Sequence, residues 1–201
     1  MRTGYRESGM ASINITASDF FQTRRSVPAK MLGLPVPDRA GLMPLLTAAA
    51  RVPDHGKLEP WRFLVLERGA MARLATLAQT RAAELGYDAE KSAKGSAQFE
   101  TGNLAVVVIS SPKPSDKIPL AEQILSAGAV CVTLLNASLA AGWGANWLSG
   151  WPSHDRGFIE AGFGLAPHES VAGILHIGTP LNTPPERPRP DLTALVEWVS
   201  Q

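Results

Sequence analysis

Apolar and polar positions alternate along this chain with two periods, one helical and one extended. Helical spacing of the apolar residues predicts six helices. The first starts near Ser18, with Phe20 and Phe21 facing inward, and the second follows the N-cap Asp38. The other four cover residues 69–86, 88–100, 118–141 and 153–164. The helix of residues 118–141 is rich in small residues. This favours close packing against another helix, in the same chain or at a subunit interface.

Four further segments have the composition of strands, at residues 61–67, 103–110, 142–150 and 170–180. Residues 103–110 carry a run of β-branched side chains, which predicts a central strand. Helices come first, strands separated by helices follow, and no linker divides the chain. We therefore expect an α+β fold with one domain over residues 18–201, behind an N-terminal tail of residues 1–17. The proline-rich end, residues 181–201, is predicted to be helix-like or extended.

Composition narrows the class of protein. The chain has 201 residues, of which 45% are hydrophobic and 18% charged, and its 19 basic residues nearly balance 18 acidic ones. Such a chain can bury a sizeable core, and without a basic field we expect no nucleic-acid partner and no membrane. Cys131 is the only cysteine and lies in an apolar segment, which favours a core thiol. The first residues lack the apolar run of a signal peptide, so we expect a cytoplasmic protein.

A polar turn precedes the first predicted strand. The sequence "RVPDHGKLEPWRFLVLE", residues 51–67, holds His55 and Lys57 between Pro53 and Pro60. Prolines fix φ and remove N–H donors, so this segment is predicted to be a stiff turn, neither a helix nor an inner strand. Such a turn is typical of a binding site and also of a solvated loop.

Three other features carry candidate chemistry. Arg24, Arg25 and Ser26 can hold a phosphate through charge-assisted hydrogen bonds, although arginines at the end of a helix are also common without a ligand. Glycines in "AAGWGANWLSG" allow close approach of the backbone to a flat or bulky group, or form a tight turn beside a core Trp. The arginines of "PERPRP" lie in an extended segment, which by itself predicts a solvated tail.

Several familiar sites are not indicated. The chain has no Walker motif, no G-x-G-x-x-G after a strand and no G-x-S-x-G elbow. Its histidines lack the spacing or cysteine partners of a zinc site. The adjacent pairs Asp54–His55 and His154–Asp155 can still meet in space, so a metal-dependent hydrolase remains an alternative function.

The motifs gain weight from their order: "RRSV", then "AAARVPDHGKLEPWRFLVLE", then "SAGAVCVTLLNASLAAGWGANWLSG", then "ILHIGTP" and "RPRP". In this order they resemble the FMN-dependent nitroreductase family, most of all its shorter branch with a "PDH" turn. The resemblance covers nearly the whole chain from about Ser18 onward. No single motif is decisive, but together and in this order they are specific.

The resemblance implies a nitroreductase-like fold, with a central mixed β-sheet flanked by helices, built as an intertwined homodimer with FMN at the subunit interface. Residues 24–26 would bind the FMN phosphate and ribityl chain, and residues 147–149 would line the flavin. Arg51 and His55 would reach FMN from the partner subunit, and Arg189 would add a phosphate contact. The positions matching the family's cofactor-binding residues are Arg24, Arg25, Ser26, Arg51, His55, Trp147, Leu148, Ser149 and Arg189, and those near the nicotinamide are Ser138, Leu139, Ala140, Ala141 and Gly142.

The implied activity is transfer of hydride from NADH or NADPH, through FMN, to nitroaromatic, quinone-like or other electron-poor small molecules. FMN carries this chemistry, so no catalytic acid or base and no metal is implied. The second alternative is a flavin-binding protein without turnover. The sequence departs from larger family members at Lys57 and Glu59, where they often have Asn and Gln, and at Pro28, where many have a Lys facing the flavin.

Overall fold

The computed structural model describes residues 17–200. The predicted N-terminal tail therefore lies, apart from Ala17, outside the described residues. The helices are α1 (Ala17–Thr23), α2 (Arg39–Ala49), α3 (Arg68–Glu84), α4 (Ala89–Thr101), α5 (Leu120–Ala140) and α6 (Arg156–Phe163). The strands are β1 (Leu32–Gly33), β2 (Trp61–Glu67), β3 (Leu104–Ser110), β4 (Gly144–Leu148) and β5 (Ser170–Pro180). All six predicted helices and all four predicted strands are present, and the α+β class is confirmed.

The five strands form one sheet around β5 and β3. Strand β5 pairs with β3 on one edge and with β4 on the other, so that Leu175 faces Val106 and Trp147. Strand β2 pairs with the free edge of β3, and the two-residue β1 pairs with the end of β5. The sequence pattern missed β1 because two residues show no alternation.

The strand directions correct one detail of the expected sheet. All four pairings within residues 17–200 are antiparallel, whereas a mixed sheet also contains a parallel pair. Strands β3 and β4 do run in the same direction, with α5 crossing between them. However, β5 lies between these two strands and is antiparallel to both, which separates the parallel pair.

Alternate residues of β3 face two different hydrophobic cores. Val107 and Ile109 pack with Phe99 and Phe158 beneath α3, α4 and α6. Val106 and Val108 lie on the opposite face, among residues of α2 and α5. All seven residues of β3 are buried, as expected for the central strand of a layered fold with helices on both faces.

Helix α5 is partly buried against the sheet and also has apolar side chains exposed to solvent. It is the one helix among the described residues that is long and apolar enough to cross a membrane, but Val130 and Leu134 are fully buried against the sheet. Four of its other apolar side chains, Leu120, Ile124, Leu125 and Val132, are exposed to solvent. The helix is therefore a core element of the fold that also carries exposed apolar side chains in the single chain.

Cys131 is buried, as its apolar segment predicted. Burial raises the pKa of the Cys131 thiol to about 12, so the prediction of a core thiol is confirmed.

The inward position predicted for Phe21 is wrong, because its side chain is 60% exposed, and Phe20 is only half-buried. None of the seven residues of α1 is buried. Residues 181–200 form an extended, exposed segment with one short 3-10 turn at Leu192–Ala194.

A buried histidine lies in the middle of the sheet. His176 of β5 pairs with Ala105 of β3 and Asn146 of β4, and its side chain is 2% exposed. Its Nε2 has no hydrogen-bond partner among residues 17–200. Burial lowers the pKa of His176 to about 4, so the ring is neutral in the folded protein.

This histidine predicts a loss of stability at mildly acidic pH. Between its unfolded pKa near 6.5 and its folded pKa of about 4, only the unfolded chain takes up the proton, so stability falls as the pH drops through this range. We expect a loss of about 2 kcal/mol between pH 7.5 and pH 5 in urea unfolding. The variant His176→Met, which keeps the volume without the titrating ring, should lose this slope. An equal slope in both proteins would contradict the assignment.

Candidate functional site

The Arg24–Arg25–Ser26 triplet lies beside strand β4. The chain leaves α1 at Thr23, and the Val27 N–H donates to the carbonyl of Ala145 at 3.0 Å. The Asn146 side chain donates from Nδ2 to the Val27 carbonyl at 2.9 Å. These two bonds fasten the triplet to the strand that continues into Trp147, Leu148 and Ser149. The structure therefore brings together the predicted phosphate-binding residues and the predicted flavin-lining residues.

The two arginines of the triplet offer donors that the protein does not use. Arg24 Nη2 donates to Ser26 Oγ at 3.0 Å, which turns the hydroxyl and the guanidinium toward each other. Arg24 Nε and Arg25 Nη1 are buried and have no hydrogen-bond partner within the described part of the chain. Burial, and secondarily the positive charge of Arg25, lower the pKa of Arg24. Two adjacent cations with unused donors form an environment that favours an anion.

A cleft of about 470 Å³ opens over these arginines. The C-terminal segment forms its other wall, with Arg189 donating from its guanidinium to the Gln22 carbonyl at the end of α1. Arg189 thus lies at the predicted phosphate site, although its bond in the structure is to backbone. The residues that line the cleft are Arg24, Arg25, Glu186, Arg187, Pro188, Arg189 and Pro190.

Strand β4 presents a flat aromatic surface next to the triplet. The Trp147 ring lies directly on Gly173 of β5, where an added Cβ would come within 2.2 Å of the indole Nε1. Trp147 is 39% exposed, Leu148 is half-buried and pairs with Ile174, and Ser149 is exposed. The bare backbone of Gly173 is what lets the ring lie flat on the sheet.

The segment predicted to contact a nicotinamide joins α5 to β4. Ser138 is fully buried and its hydroxyl donates to the Leu134 carbonyl at 2.8 Å, so its side chain is occupied inside the helix. The exposed residues of the segment are Ala140 and Ala141, and Gly142 turns the chain with a φ of 86°. Contact with a ligand from this segment is available through residues 139–142 and not through the Ser138 side chain.

The polar turn is organised by a carboxylate as well as by prolines. Asp54 accepts hydrogen bonds from the N–H groups of Leu58 and Glu59, and Gly56, Lys57 and Glu59 all have positive φ. A single 3-10 turn covers His55–Lys57, in agreement with a stiff turn that is neither a helix nor a strand.

His55 lies far from the triplet in the single chain. His55 Nδ1 is 2.6 Å from Glu122 Oε2 in the first turn of α5, and Ser126 Oγ donates to the Pro53 carbonyl at 2.8 Å. Glu122 precedes Ser138 by 16 residues, which is about 24 Å along a helix. Arg51 is exposed after α2. One chain therefore places His55 at the opposite end of α5 from β4.

The residues of the hydrolase alternative do not form a metal-binding cluster. Arg81 donates to both carboxylate oxygens of Asp155, at 2.9 and 3.0 Å, and Asp155 also caps α6 through the Phe158 N–H. Asp54 is occupied by the turn described above. Among residues 17–200, no three His, Cys, Asp or Glu side chains are arranged to hold a metal ion. The two carboxylates that this alternative requires thus have structural roles.

The model of the Nitroreductase family matches residues 22–179. This chain belongs to the nitroreductase family. It is 30% identical over 164 residues, 82% of this chain and 88% of the relative, to the Escherichia coli (strain K12) protein named "Putative NAD(P)H nitroreductase YdjA". It is 34% identical over 158 residues, 78% of this chain and 84% of the relative, to a Haemophilus influenzae protein named "Putative NAD(P)H nitroreductase". The expected family and the expected enzyme class, an oxidoreductase, are confirmed.

Solved structures agree with the nitroreductase fold. A nitroreductase-like family protein from Bacillus cereus superposes with a TM-score of 0.76 at 25% identity, over 94% of this chain and 99% of that one. A "putative nitroreductase in complex with fmn" from Desulfovibrio desulfuricans superposes with a TM-score of 0.72 at 18% identity, over 94% of this chain and 100% of that one.

The structure adds residues to this candidate site that the sequence motifs did not indicate. Glu122 pairs with His55, Asn146 holds the Val27 carbonyl, and Glu186 lies 3.5 Å from Arg25. Each of these contacts joins residues at least 67 positions apart, so spacing along the chain carries no sign of them. A capping or turn motif would have been visible locally, but these pairings depend on the tertiary fold.

Proposed function

We propose that this protein is an FMN-dependent oxidoreductase that passes hydride from NADH or NADPH to nitroaromatic, quinone-like or other electron-poor acceptors. The observation that carries the proposal is the pair of unused guanidinium donors on Arg24 and Arg25, fastened beside the Trp147 surface. The names of its relatives, which include NAD(P)H nitroreductase, support the same activity.

The donor set fits a flavin phosphate. A phosphate dianion takes several charge-assisted hydrogen bonds, and the triplet offers two guanidinium groups and a hydroxyl within one short segment. The cleft above it lies between the two arginines and the C-terminal segment, residues 186–190. Residues 24–26 would hold the phosphate, and residues 147–149 would line the ring system.

Bound FMN supplies the hydride chemistry, and the chain supplies binding and orientation. Trp147 and Leu148 give the ring system an apolar surface, and the exposed backbone of residues 139–142 lies in the connection that leads into β4. Pro28, exposed after the triplet, provides no charge toward the flavin. Positive charge near the flavin edge must then come from elsewhere, and the partner's polar turn is the candidate we propose.

A homodimer completes this site. The exposed apolar side chains of α5 (Leu120, Ile124, Leu125 and Val132) become covered if a second copy packs on them. His55 lies beside Leu125, in a cleft of about 340 Å³ that Ala129 also lines. A second copy packed there would bring its own His55 and Arg51 toward the first copy's β4. We propose the cytoplasm as the compartment, since NAD(P)H is the electron donor.

Mixed dimers test whether the site is shared. Arg24→Ala and His55→Ala damage different halves of a shared site, so each homodimer should bind FMN weakly. Unfolding and refolding the two variants together gives heterodimers in which one site has both residues intact. We expect the mixture to recover roughly a quarter of the wild-type FMN sites, because about half of the dimers are mixed and each holds one intact site. Recovery no greater than the sum of the separate variants would show that Arg24 and His55 do not act in one shared site.

Turnover separates an enzyme from a passive flavin-binding protein. The measurement is oxidation of NADH or NADPH by FMN-loaded protein, with and without a nitroaromatic or quinone acceptor, in the absence of oxygen. The proposal predicts consumption of nicotinamide that depends on both protein and acceptor. If flavin-loaded protein oxidises neither nicotinamide, the protein is a flavin-binding protein without turnover.

A further inference from the structure

The phosphate cleft contains a carboxylate that the proposed function does not require. Glu186 Oε1 lies 3.5 Å from Arg25 Nη1 and accepts a hydrogen bond from the Arg187 N–H at 3.1 Å. A carboxylate, like a phosphate, accepts charge-assisted hydrogen bonds from a guanidinium group. Glu186 therefore lies where an anionic ligand of Arg25 would bind.

The contact between Glu186 and Arg25 is weak by geometry. At 3.5 Å it is an ion pair but not a hydrogen bond, and Arg25 Nη1 remains without a hydrogen-bond partner in residues 17–200. The Glu186 side chain is 71% exposed, so it can turn into solvent without losing a buried environment. An exposed ion pair of this kind contributes little to stability.

The segment that carries Glu186 is held close to the arginines. Three residues further on, Arg189 donates to the Gln22 carbonyl, and Gln22 lies two residues before Arg24. The prolines at positions 184, 185, 188 and 190 stiffen the segment. This tether keeps the carboxylate at a high effective concentration near the phosphate site, even though each contact is weak.

We propose that Glu186 competes with the flavin phosphate for Arg25 and thereby determines how tightly the protein holds its phosphorylated cofactor. This inference rests on the proposed FMN site and extends it to a residue outside the family motif. The phosphate dianion displaces the Glu186 side chain, and the freed carboxylate turns into solvent. Riboflavin has the same ring system without the phosphate, so its binding does not involve this exchange.

The test compares Glu186→Gln with wild type for FMN and for riboflavin. Glutamine keeps the size and removes the charge, so FMN should bind about 2- to 5-fold more tightly, the range of an exposed ion pair, with riboflavin unchanged. Glu197→Gln, in the same exposed segment but outside the cleft, should match wild type for both ligands. Unchanged or weaker FMN binding in Glu186→Gln, or an equal gain for riboflavin, would overturn the proposal.

Inorganic phosphate gives a second measurement that does not depend on flavin. Phosphate that binds only the folded protein raises its melting temperature, and it should do so more for Glu186→Gln than for wild type. In the background Arg25→Ala, the difference between Glu and Gln at position 186 should vanish. If neither flavin binds, the proposed function fails, while an equal phosphate response in the two proteins refutes the role of Glu186.

Discussion

Replacing Arg24 by Ala should weaken FMN binding about 10- to 100-fold. Arg24 contributes a half-buried guanidinium whose Nε has no hydrogen-bond partner in the structure of residues 17–200, and whose Nη2 orients the Ser26 hydroxyl. A hydrogen bond between charged groups contributes about 1.5–3 kcal/mol, which corresponds to this loss of affinity. Quenching of flavin fluorescence during titration of the flavin-free protein measures the dissociation constant.

Two controls show whether the loss concerns the phosphate. Arg39→Ala removes the same charge from the exposed first position of α2, which does not line the cleft, and should bind FMN as wild type does. Riboflavin should bind Arg24→Ala and wild type about equally, because it has no phosphate. Equal FMN affinity in the Arg24 and Arg39 variants would remove Arg24 from the site.

Replacing Arg62 by Ala should destabilise the fold by about 3 kcal/mol. Arg62 donates from Nε and Nη2 to the two carboxylate oxygens of Glu169, both at 2.7 Å, and Glu169 is only 6% exposed. The Arg62 hydrogen bonds hold the pKa of Glu169 at about 2. Removal of one partner leaves a buried carboxylate uncompensated, and we take the lower end of the usual range because Arg62 is 41% exposed.

The pH dependence and a second substitution identify the cause. A carboxylate with a depressed pKa stabilises the fold above its unfolded pKa near 4.5, and this contribution disappears as the pH falls toward 2. The deficit of Arg62→Ala in urea unfolding should therefore be largest above pH 4.5. Adding Glu169→Gln, which removes the charge and keeps an acceptor for the Ala166 N–H, should restore part of the stability. A single variant within 0.5 kcal/mol of wild type would contradict this account.

Local patterns in the sequence predicted the elements of the fold well. The helix predicted at residues 69–86 forms α3 at Arg68–Glu84, and the helix predicted at 88–100 forms α4 at Ala89–Thr101 behind the N-cap Asp88. The β-branched run became the fully buried β3. Periodicity and capping are properties of neighbouring residues, so one sequence is sufficient to see them.

Contacts between residues far apart in the sequence could not be predicted from local patterns. The pattern along a strand does not encode the direction of its neighbour, and the antiparallel pairing of β5 with both β3 and β4 became visible only in the fold. The ion pair of Arg62 with Glu169 joins residues 107 positions apart, and Glu186 reaches Arg25 from the other end of the chain. The site motifs pointed to Arg24 and Trp147, whereas the contacts that fasten them together follow from tertiary packing.

The absorbance spectrum of the purified protein shows whether it binds FMN and whether a nicotinamide reduces that flavin. It is recorded without oxygen, after incubation with FMN and removal of the excess, and again after addition of NADH and of NADPH. We expect a yellow protein with about one FMN per chain, whose flavin absorption is bleached by at least one nicotinamide and returns when a nitroaromatic or quinone acceptor is added. A protein that retains no flavin would contradict the proposed cofactor, and a yellow protein that neither nicotinamide bleaches would contradict the proposed activity.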